Sequence, residues 1–253
     1  MLTQLAPGLR ALLVHIAALL GILLLYRLWS ALAGTTPGIF VFALGEGLIA
    51  AGLGVLAGLR AWWLPINLLF APALAIALTF DVHPLWYLLL FISVWLLNWN
   101  ALGEQVPLYL SGNKTVSTVA QQLEPGKHFH FADFGCGLGG VLVKLARRYP
   151  QANFSGFETA PLPYLIAKLR SLRYRNLRVM RRSFWSCEWD QFDVVYCFLS
   201  PVPMPAIEQL AEKKLKPGAL FISNSFALPT RRADRVVEVG DRRRTRLFLY
   251  RKA

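Results

Sequence analysis

From Leu9 to Trp99 apolar side chains follow one another with few breaks, whereas from Gly103 onward apolar and polar positions alternate in short, regular blocks. Four apolar runs stand out in the first region, at residues 9–26, 38–59, 62–80 and 84–99. Each approaches the ~17–25 residues that a helix needs to cross a hydrocarbon core, the last being short. Arg27 with Gly34 and Pro37, then Arg60, then Asp81, His83 and Pro84 interrupt them. Trp62, Trp63, Trp86, Tyr87, Trp95 and Trp99 cluster near run ends, as rings at a membrane–water boundary do. The pattern predicts a transmembrane helical anchor of about four helices over residues 1–101.

In the second region strands are expected at 129–134, 153–158, 177–181, 192–199 and 219–225. Helices are expected between them at 139–149, 162–172 and 205–215, with a short helix at 116–123 ahead of the first strand. Such alternation predicts an α/β domain over 102–253, with a mostly parallel sheet and helices on both faces. Runs at 236–239 and 245–250 complete seven strands. No helix separates these two, and Gly240-Asp241 favours a turn, so they should form an antiparallel hairpin at the sheet edge.

Charge divides the chain at the same place. Residues 1–101 carry three arginines (Arg10, Arg27, Arg60), two acids (Glu46, Asp81) and no lysine, so nearly all of the net +13 belongs to the remainder. A segment this poor in charge cannot present an ordinary aqueous surface. With an even number of spans both termini share one side, and Arg10 and Arg60 inside against Arg27 outside favours a cytoplasmic catalytic domain. An integral protein of a bacterial inner membrane is the resulting expectation. Gly45, Gly47, Gly52, Gly54 and Gly58 form a small-residue face suited to close helix packing. Glu46 among them reads as a carboxyl hydrogen-bonded inside the bundle, with substrate binding as the alternative. Cys136, Cys187 and Cys197 are too few and too scattered for a disulfide framework or zinc site and read as buried thiols. No metal-ligand spacing stands out.

The chemically informative segment is Asp133-Phe134-Gly135-Cys136-Gly137-Leu138-Gly139-Gly140, between an expected strand and an expected helix. Glycines here allow tight turns and close approach of a ligand that a Cβ would exclude. Two ligand classes compete. Gly135-x-Gly137-x-x-Gly140 fits the dinucleotide fingerprint, with Glu158 near the spacing of a ribose-binding acid. Asp133-x-Gly135-x-Gly137-x-Gly139 resembles motif I of the class I methyltransferases. The glycines alone leave both open.

Asp133 favours the second reading, since a carboxylate in the loop would repel a pyrophosphate and attract a cationic ligand. Residues 192–201, ending Phe198-Leu199-Ser200-Pro201, resemble the fourth strand of the class I, seven-strand, S-adenosylmethionine-dependent methyltransferases. Leu215-Lys216-Pro217-Gly218-Ala219 resembles the turn into their fifth. Val106-Pro107-Leu108-Tyr109-Leu110-Ser111, Gly156-Phe157-Glu158 and the Arg-rich third strand resemble the membrane-associated protein-lysine methyltransferases of the ATP synthase c-subunit and adenine nucleotide translocase type and their prokaryotic relatives. Their short hydrophobic anchor is replaced here by a much larger apolar segment.

The resemblance implies S-adenosylmethionine as cofactor. It implies that Asp133, Gly135, Cys136, Gly137 and Gly139 form the methionine-side cradle and that Glu158 accepts hydrogen bonds from the ribose hydroxyls. Ser183 stands where the family usually has an adenine-reading acid, and Phe184 would cover the ring. Leu199, Ser200 and Pro201 would line the floor beneath the methyl group, and Tyr109 is a candidate to shape an amine pocket. A membrane protein is the expected substrate, with a lipid or quinone precursor, or cofactor binding without catalysis, as the other readings. Basic clusters at Arg231, Arg232 and Arg235, at Arg242, Arg243, Arg244 and Arg246, and around Arg170–Arg182 suit anionic lipid next to a bilayer. The anchor argues against nucleic acid as the partner, and oligomeric state is not legible.

Overall fold

A computed structural model describes residue 5 and residues 7–80, 82–100, 106–124 and 126–253. The chain forms two compact units, Met1–Trp86 and Tyr87–Ala253. The anticipated interruption at Asp81 and the boundary at 101/102 lie outside the described residues. The division between the units falls within a helix, Pro84–Leu97.

The apolar runs form helices α1 (Pro7–Ala33), α2 (Ile39–Leu56), α3 (Trp63–Ala77) and α4 (Pro84–Leu97). Two of them, α1 with 27 residues and α2 with 18, are long and apolar enough to cross a membrane. At 15 and 14 residues, α3 and α4 reach only about 21–23 Å, short of a ~30 Å hydrocarbon core. The expectation of four spanning helices is corrected to two that meet the length requirement. The third run loses its end to a turn, where Leu78 N, Thr79 N and Phe80 N bond back to Leu74 O, Ile76 O and Ala77 O. The Thr79 hydroxyl adds a second, 2.7 Å bond to Ile76 O at this helix end.

Within the first unit, Val14 and Ala18 of α1 pack on Ala50 of α2. Arg10 donates to Ala57 O and Gly58 O, both at 3.3 Å, which brings the start of α1 to the end of α2 and makes the pair antiparallel. A Cβ on Gly47 would lie 2.2 Å from Leu68 O, so α2 and α3 touch backbone to backbone, as the glycine stripe predicts. Glu46 is buried, and its Oε1 pairs with His15 Nδ1 at 2.9 Å across the α1–α2 contact. Outward-facing leucines such as Leu24 and Leu32, 71% and 79% exposed, leave these helices with an apolar exterior that water does not favour.

The second unit carries one seven-stranded sheet in the order β3-β2-β1-β4-β5-β7-β6. The strands are β1 (His130–Phe134), β2 (Asn153–Phe157), β3 (Leu177–Met180), β4 (Val194–Cys197), β5 (Leu220–Asn224), β6 (Arg235–Glu238) and β7 (Arg246–Arg251). The first five are parallel, and β7 runs antiparallel between β5 and β6, which places the hairpin at the edge as anticipated. Every residue of β4 and β5 is buried, the signature of a central parallel strand covered on both faces.

Alternation sorts the core into two layers. Phe131, Tyr196 and Ile222 join one cluster with Leu142 and Leu145, while Ala132, Phe134, Val195 and Phe221 join the other with Trp189. Helices α5 (Asn113–Ala120), α6 (Gly140–Arg148), α7 (Pro161–Ser171) and α8 (Met204–Lys214) cover these faces. Apolar spacing at Val141, Leu142, Leu145 and Ala146 lays one stripe of α6 on the sheet. Pro161 opens α7 at a position where a missing N–H costs nothing. The strand order reverses between β1 and β4, and ligands of open α/β sheets settle outside the carboxyl ends at such a point.

Candidate active site

The chain leaves β1 at Phe134 and turns three times through left-handed glycines, with φ of 74° at Gly135, 53° at Gly137 and 72° at Gly139. Space adds a weaker pressure, because the atoms met are the tips of leucine side chains that can shift. A Cβ on Gly135 would sit 2.8 Å from Leu199 Cδ2, and one on Gly137 would sit 2.9 Å from Leu108 Cδ1. Only glycine meets both demands here.

The loop's amides point into the protein. Gly135 N and Cys136 N both donate to Phe157 O at 3.0 Å, Gly137 N donates to Glu158 Oε2 at 2.8 Å, and Gly139 N donates to Cys136 O at 2.9 Å. A pyrophosphate cradle needs such amides turned toward the ligand. Four of them are already engaged, and Asp133 and Glu158 place two acids beside the loop. The choice that the glycines leave open therefore falls against a dinucleotide.

Glu158 directly follows β2 and is buried. Its Oε1 accepts from Thr159 N and Ala160 N at 2.9 Å and from Asn100 Nδ2 at 3.2 Å, and Asn100 also reaches Thr159 Oγ1 at 2.8 Å. The carboxylate is thus fixed in orientation by the loop of β1 on one side and the entry to α7 on the other. Glu158, Thr159, Ser183, Phe184 and Leu199 line a crevice with Gly135 and Tyr109. Ser183 caps the short 3-10 turn Phe184–Ser186, accepting from Trp185 N at 3.4 Å.

Asp133, Gly135, Cys136, Arg170 and Tyr196 line an adjoining cavity, with Tyr109 shared between the two. Burial raises the Asp133 carboxyl well above the usual carboxylate range, and the nearby Glu158 adds to the effect. Arg170 on α7 donates to Leu138 O at 2.9 Å, which brings its guanidinium to the same cavity. Tyr196 OH is bonded to Ser111 Oγ at 2.7 Å and receives Asn224 Nδ2 at 2.8 Å, and burial pushes its phenol up. The Cys136 thiol is also driven up by burial and by both carboxylates, which leaves it an unreactive filler of the turn. Burial holds Cys187 at about 11 and Cys197 at about 12. All three cysteines are free and buried.

The residues anticipated for the site come together with four exceptions. Asp133, Gly135, Cys136, Glu158, Ser183, Phe184, Leu199 and Tyr109 border the two joined cavities. Gly137 and Gly139, whose amides turn inward, and Ser200 and Pro201 are not among the residues lining them. Past Cys197 it is Phe198 and Leu199 that meet the crevice. Ser200 turns into the interior, its Oγ buried without a partner, and Pro201 lies exposed where its carbonyl receives Met204 N at the start of α8. Phe198 takes the floor position and stacks on Tyr109 at 4.8 Å and 19°. Asn100 escapes notice because it ends an apolar run, and Arg170 because it sits among other arginines. Ser111 lies in a quoted segment, but its bond to Tyr196 spans 85 positions and leaves no local signal.

Residues 133–235 match the family model of the ANTKMT methyltransferase domain. The chain is 39% identical over 64 residues to a tRNA (guanine-N(7)-)-methyltransferase of Brugia malayi, a match of 22% of this chain and 25% of that protein. It is 28% identical over 115 residues to the sterol 4-C-methyltransferase strm-1 of Caenorhabditis elegans, a match of 41% of this chain and 33% of that protein. The chain thus spans a quarter to a third of the length of these relatives. Among solved structures, an RNA methyltransferase from Salinibacter ruber in complex with S-adenosyl-L-homocysteine superposes with a TM-score of 0.51 at 17% identity, covering 56% of this chain and 93% of that one. Strand order, loop geometry and these likenesses agree that the unit Tyr87–Ala253 has the fold of the class I S-adenosylmethionine-dependent methyltransferases and resembles, over residues 133–235, the ANTKMT-type lysine methyltransferases.

Proposed function

We propose that this protein is a membrane-anchored S-adenosylmethionine-dependent methyltransferase that N-methylates a lysine of a membrane protein. The observation that carries the cofactor assignment is the inward-turned glycine loop between two buried carboxylates, Asp133 and Glu158. That arrangement fits a cationic nucleoside and repels a diphosphate. When bound, the cofactor supplies a methyl carbon on a sulfonium that departs as a neutral thioether.

The chain's own residues then have three tasks. Glu158 would present its carboxylate to a sugar diol, the hydroxyls taking the place of the Asn100 amide, the most distant of its four described donors at 3.2 Å. Asp133 and Arg170 face one cavity with opposite charges, which suits an amino acid's ammonium and carboxylate respectively. Tyr109 and Phe198 wall the acceptor side with stacked rings and shield it from water. An apolar wall of this kind favours the neutral amine over the ammonium, which is the form able to attack. Arg170→Ala should lower cofactor affinity roughly tenfold or more, the scale of a lost hydrogen bond to a charged group. Calorimetry on detergent-purified protein reads this directly, and unchanged affinity would remove Arg170 from the site.

Support for the anchor comes from α1 and α2, and from the apolar exterior of all four helices. With α1 and α2 as spans, the chain after α2 emerges on the side of Arg10 and Arg60, which we read as the cytoplasmic face of a bacterial inner membrane. The lysine substrate rests on the resemblance to ANTKMT-type enzymes. Incubating purified full-length protein with tritiated S-adenosylmethionine and membranes from cells lacking the gene should place label in the protein phase, on lysine. Label in the lipid phase alone would replace the lysine by a lipid acceptor.

A further inference from the structure

A second, wider cavity opens beyond Tyr109 and Phe198. Its inner wall is aromatic and amide, from Phe226 and the buried Asn224, and its outer wall is formed by Arg242, Arg243, Arg244 and Arg246. Because Tyr109 and Phe198 border both this cavity and the cofactor crevice, the arginines stand at the acceptor end of the site. The acid in the lining, Asp241, is engaged with its own loop, accepting from Thr245 N at 2.8 Å and Thr245 Oγ1 at 2.7 Å. Among the described ion pairs, none involves these four arginines. Asp241, which lies next to Arg243 and interacts with it, offsets part of this charge, and the lining keeps an excess of positive charge from four arginines against one acid.

The same compact unit presents an apolar element that reaches the crevice. The helix that contributes Tyr87–Leu97 has no buried side chain, and Leu90, Phe91 and Trp95 are exposed on it. Its last residue, Leu97, lines the cofactor crevice together with Asn100. A helix apolar on every side and too short to span suits the outer part of a bilayer, with Trp95 and Trp99 near the headgroups. Thus an apolar helix that favours lipid and a cluster of four arginines without ion pairs among the described residues border one site. An anionic headgroup complements both, since its phosphate answers the guanidinium groups while its acyl chains answer the helix.

We propose that the cavity walled by Arg242, Arg243, Arg244 and Arg246 binds the phosphate of an anionic phospholipid headgroup and so holds the acceptor end of the site at the bilayer surface. The proposal rests on the methyltransferase reading for what the neighbouring crevice does, but not for lipid binding itself. Each arginine beside an anionic lipid surface contributes roughly fivefold to binding.

The test uses full-length protein in neutral detergent, titrated by calorimetry with short-chain phosphatidylglycerol, short-chain phosphatidylcholine, inorganic phosphate and a single-stranded RNA. Phosphatidylglycerol should bind best, and Arg242→Glu combined with Arg243→Glu should weaken it at least twentyfold. S-adenosylmethionine affinity, measured on the same preparations, should stay within about twofold, which also shows that the variant is folded. The Arg242→Lys, Arg243→Lys pair should retain most of the lipid binding, because phosphate recognition by charge survives that change. Equal binding of phosphatidylcholine, or wild-type affinity in the charge-reversed variant, overturns the proposal. Inorganic phosphate binding as tightly as the lipid would overturn the lipid source, and RNA binding tighter than either would make the surface a nucleic-acid site. Loss of S-adenosylmethionine binding by the wild type, with lipid binding intact, would sink the methyltransferase reading and leave the lipid site standing.

Discussion

Glu158→Ala is expected to abolish measurable S-adenosylmethionine binding and to lower the stability of the catalytic unit. The carboxylate accepts from Gly137 N, Thr159 N and Ala160 N as well as from Asn100, so its removal strands donors of both the glycine loop and the start of α7. Each buried donor left without a partner costs about 1–3 kcal/mol. With Gly137 N released, the loop is held to β2 through Phe157 O alone, and the cofactor loses its sugar partner and part of the shape of its seat. Glu158→Gln separates the two effects. It keeps an acceptor oxygen for the amides but adds an NH2 that faces one of them, so it should fold better than the alanine variant and still bind poorly. Calorimetry gives the affinity and a thermal melt gives the stability. Affinity within a few-fold of wild type in both variants would show that the ribose does not meet this carboxylate. Membrane retention should be unchanged, because neither substitution lies in the first unit.

Asp133→Asn should act in opposite directions on stability and on binding. Burial and the neighbouring Glu158 raise the folded-state pKa of Asp133 well above its ordinary value. Folding therefore takes up a proton across the interval between the unfolded and the folded pKa. This group's contribution to stability is complete below the unfolded value and is lost as pH rises through the folded one. An asparagine carries no such penalty, so the advantage of Asp133→Asn in thermal stability should grow between about pH 5 and pH 8 for protein without cofactor. Cofactor binding reverses the preference, since a cationic ammonium nearby favours the carboxylate. Wild-type affinity should thus increase with pH and binding should release a proton, detectable as a dependence of the calorimetric heat on buffer ionisation. The asparagine variant should bind at least thirtyfold more weakly, from the roughly 2–5 kcal/mol cost of removing one partner of a buried charge pair, and its affinity should be nearly flat in pH. A pH-independent wild-type affinity would show that Asp133 does not meet the cationic end.

The elements of the catalytic unit were legible because each is specified by local patterning. Strand positions agree within a few residues from β1 to β7, and the hairpin after Gly240-Asp241 pairs as expected. The anchor was less legible at its ends. Runs of 19 and 16 apolar residues yielded helices of 15 and 14, since hydropathy does not register a terminal turn such as Leu78–Phe80. At the site, Asp133, Gly135 and Glu158 could be named because a motif fixes their spacing. Ser200 and Pro201 were expected in the crevice on the same grounds, but the chain's direction after Cys197 gives that place to Phe198 and Leu199. Asn100, Arg170 and the Ser111–Tyr196–Asn224 network were out of reach, their partners lying 28 to 85 positions away.

By itself the chain of residues determined the order of the elements, the division between an apolar and a basic region, and the glycine turn beside Asp133, all of which follow from periodicity, composition and steric allowance over a few neighbouring positions. Tertiary structure alone decided which way the loop's amides face and that two buried acids share a site with Arg170. It also set four arginines beside Tyr109. Those outcomes depend on the register of β1 against β2 and β4 and on how α7 and the last hairpin return to the sheet, and such long-range pairings have no counterpart in any short stretch of sequence.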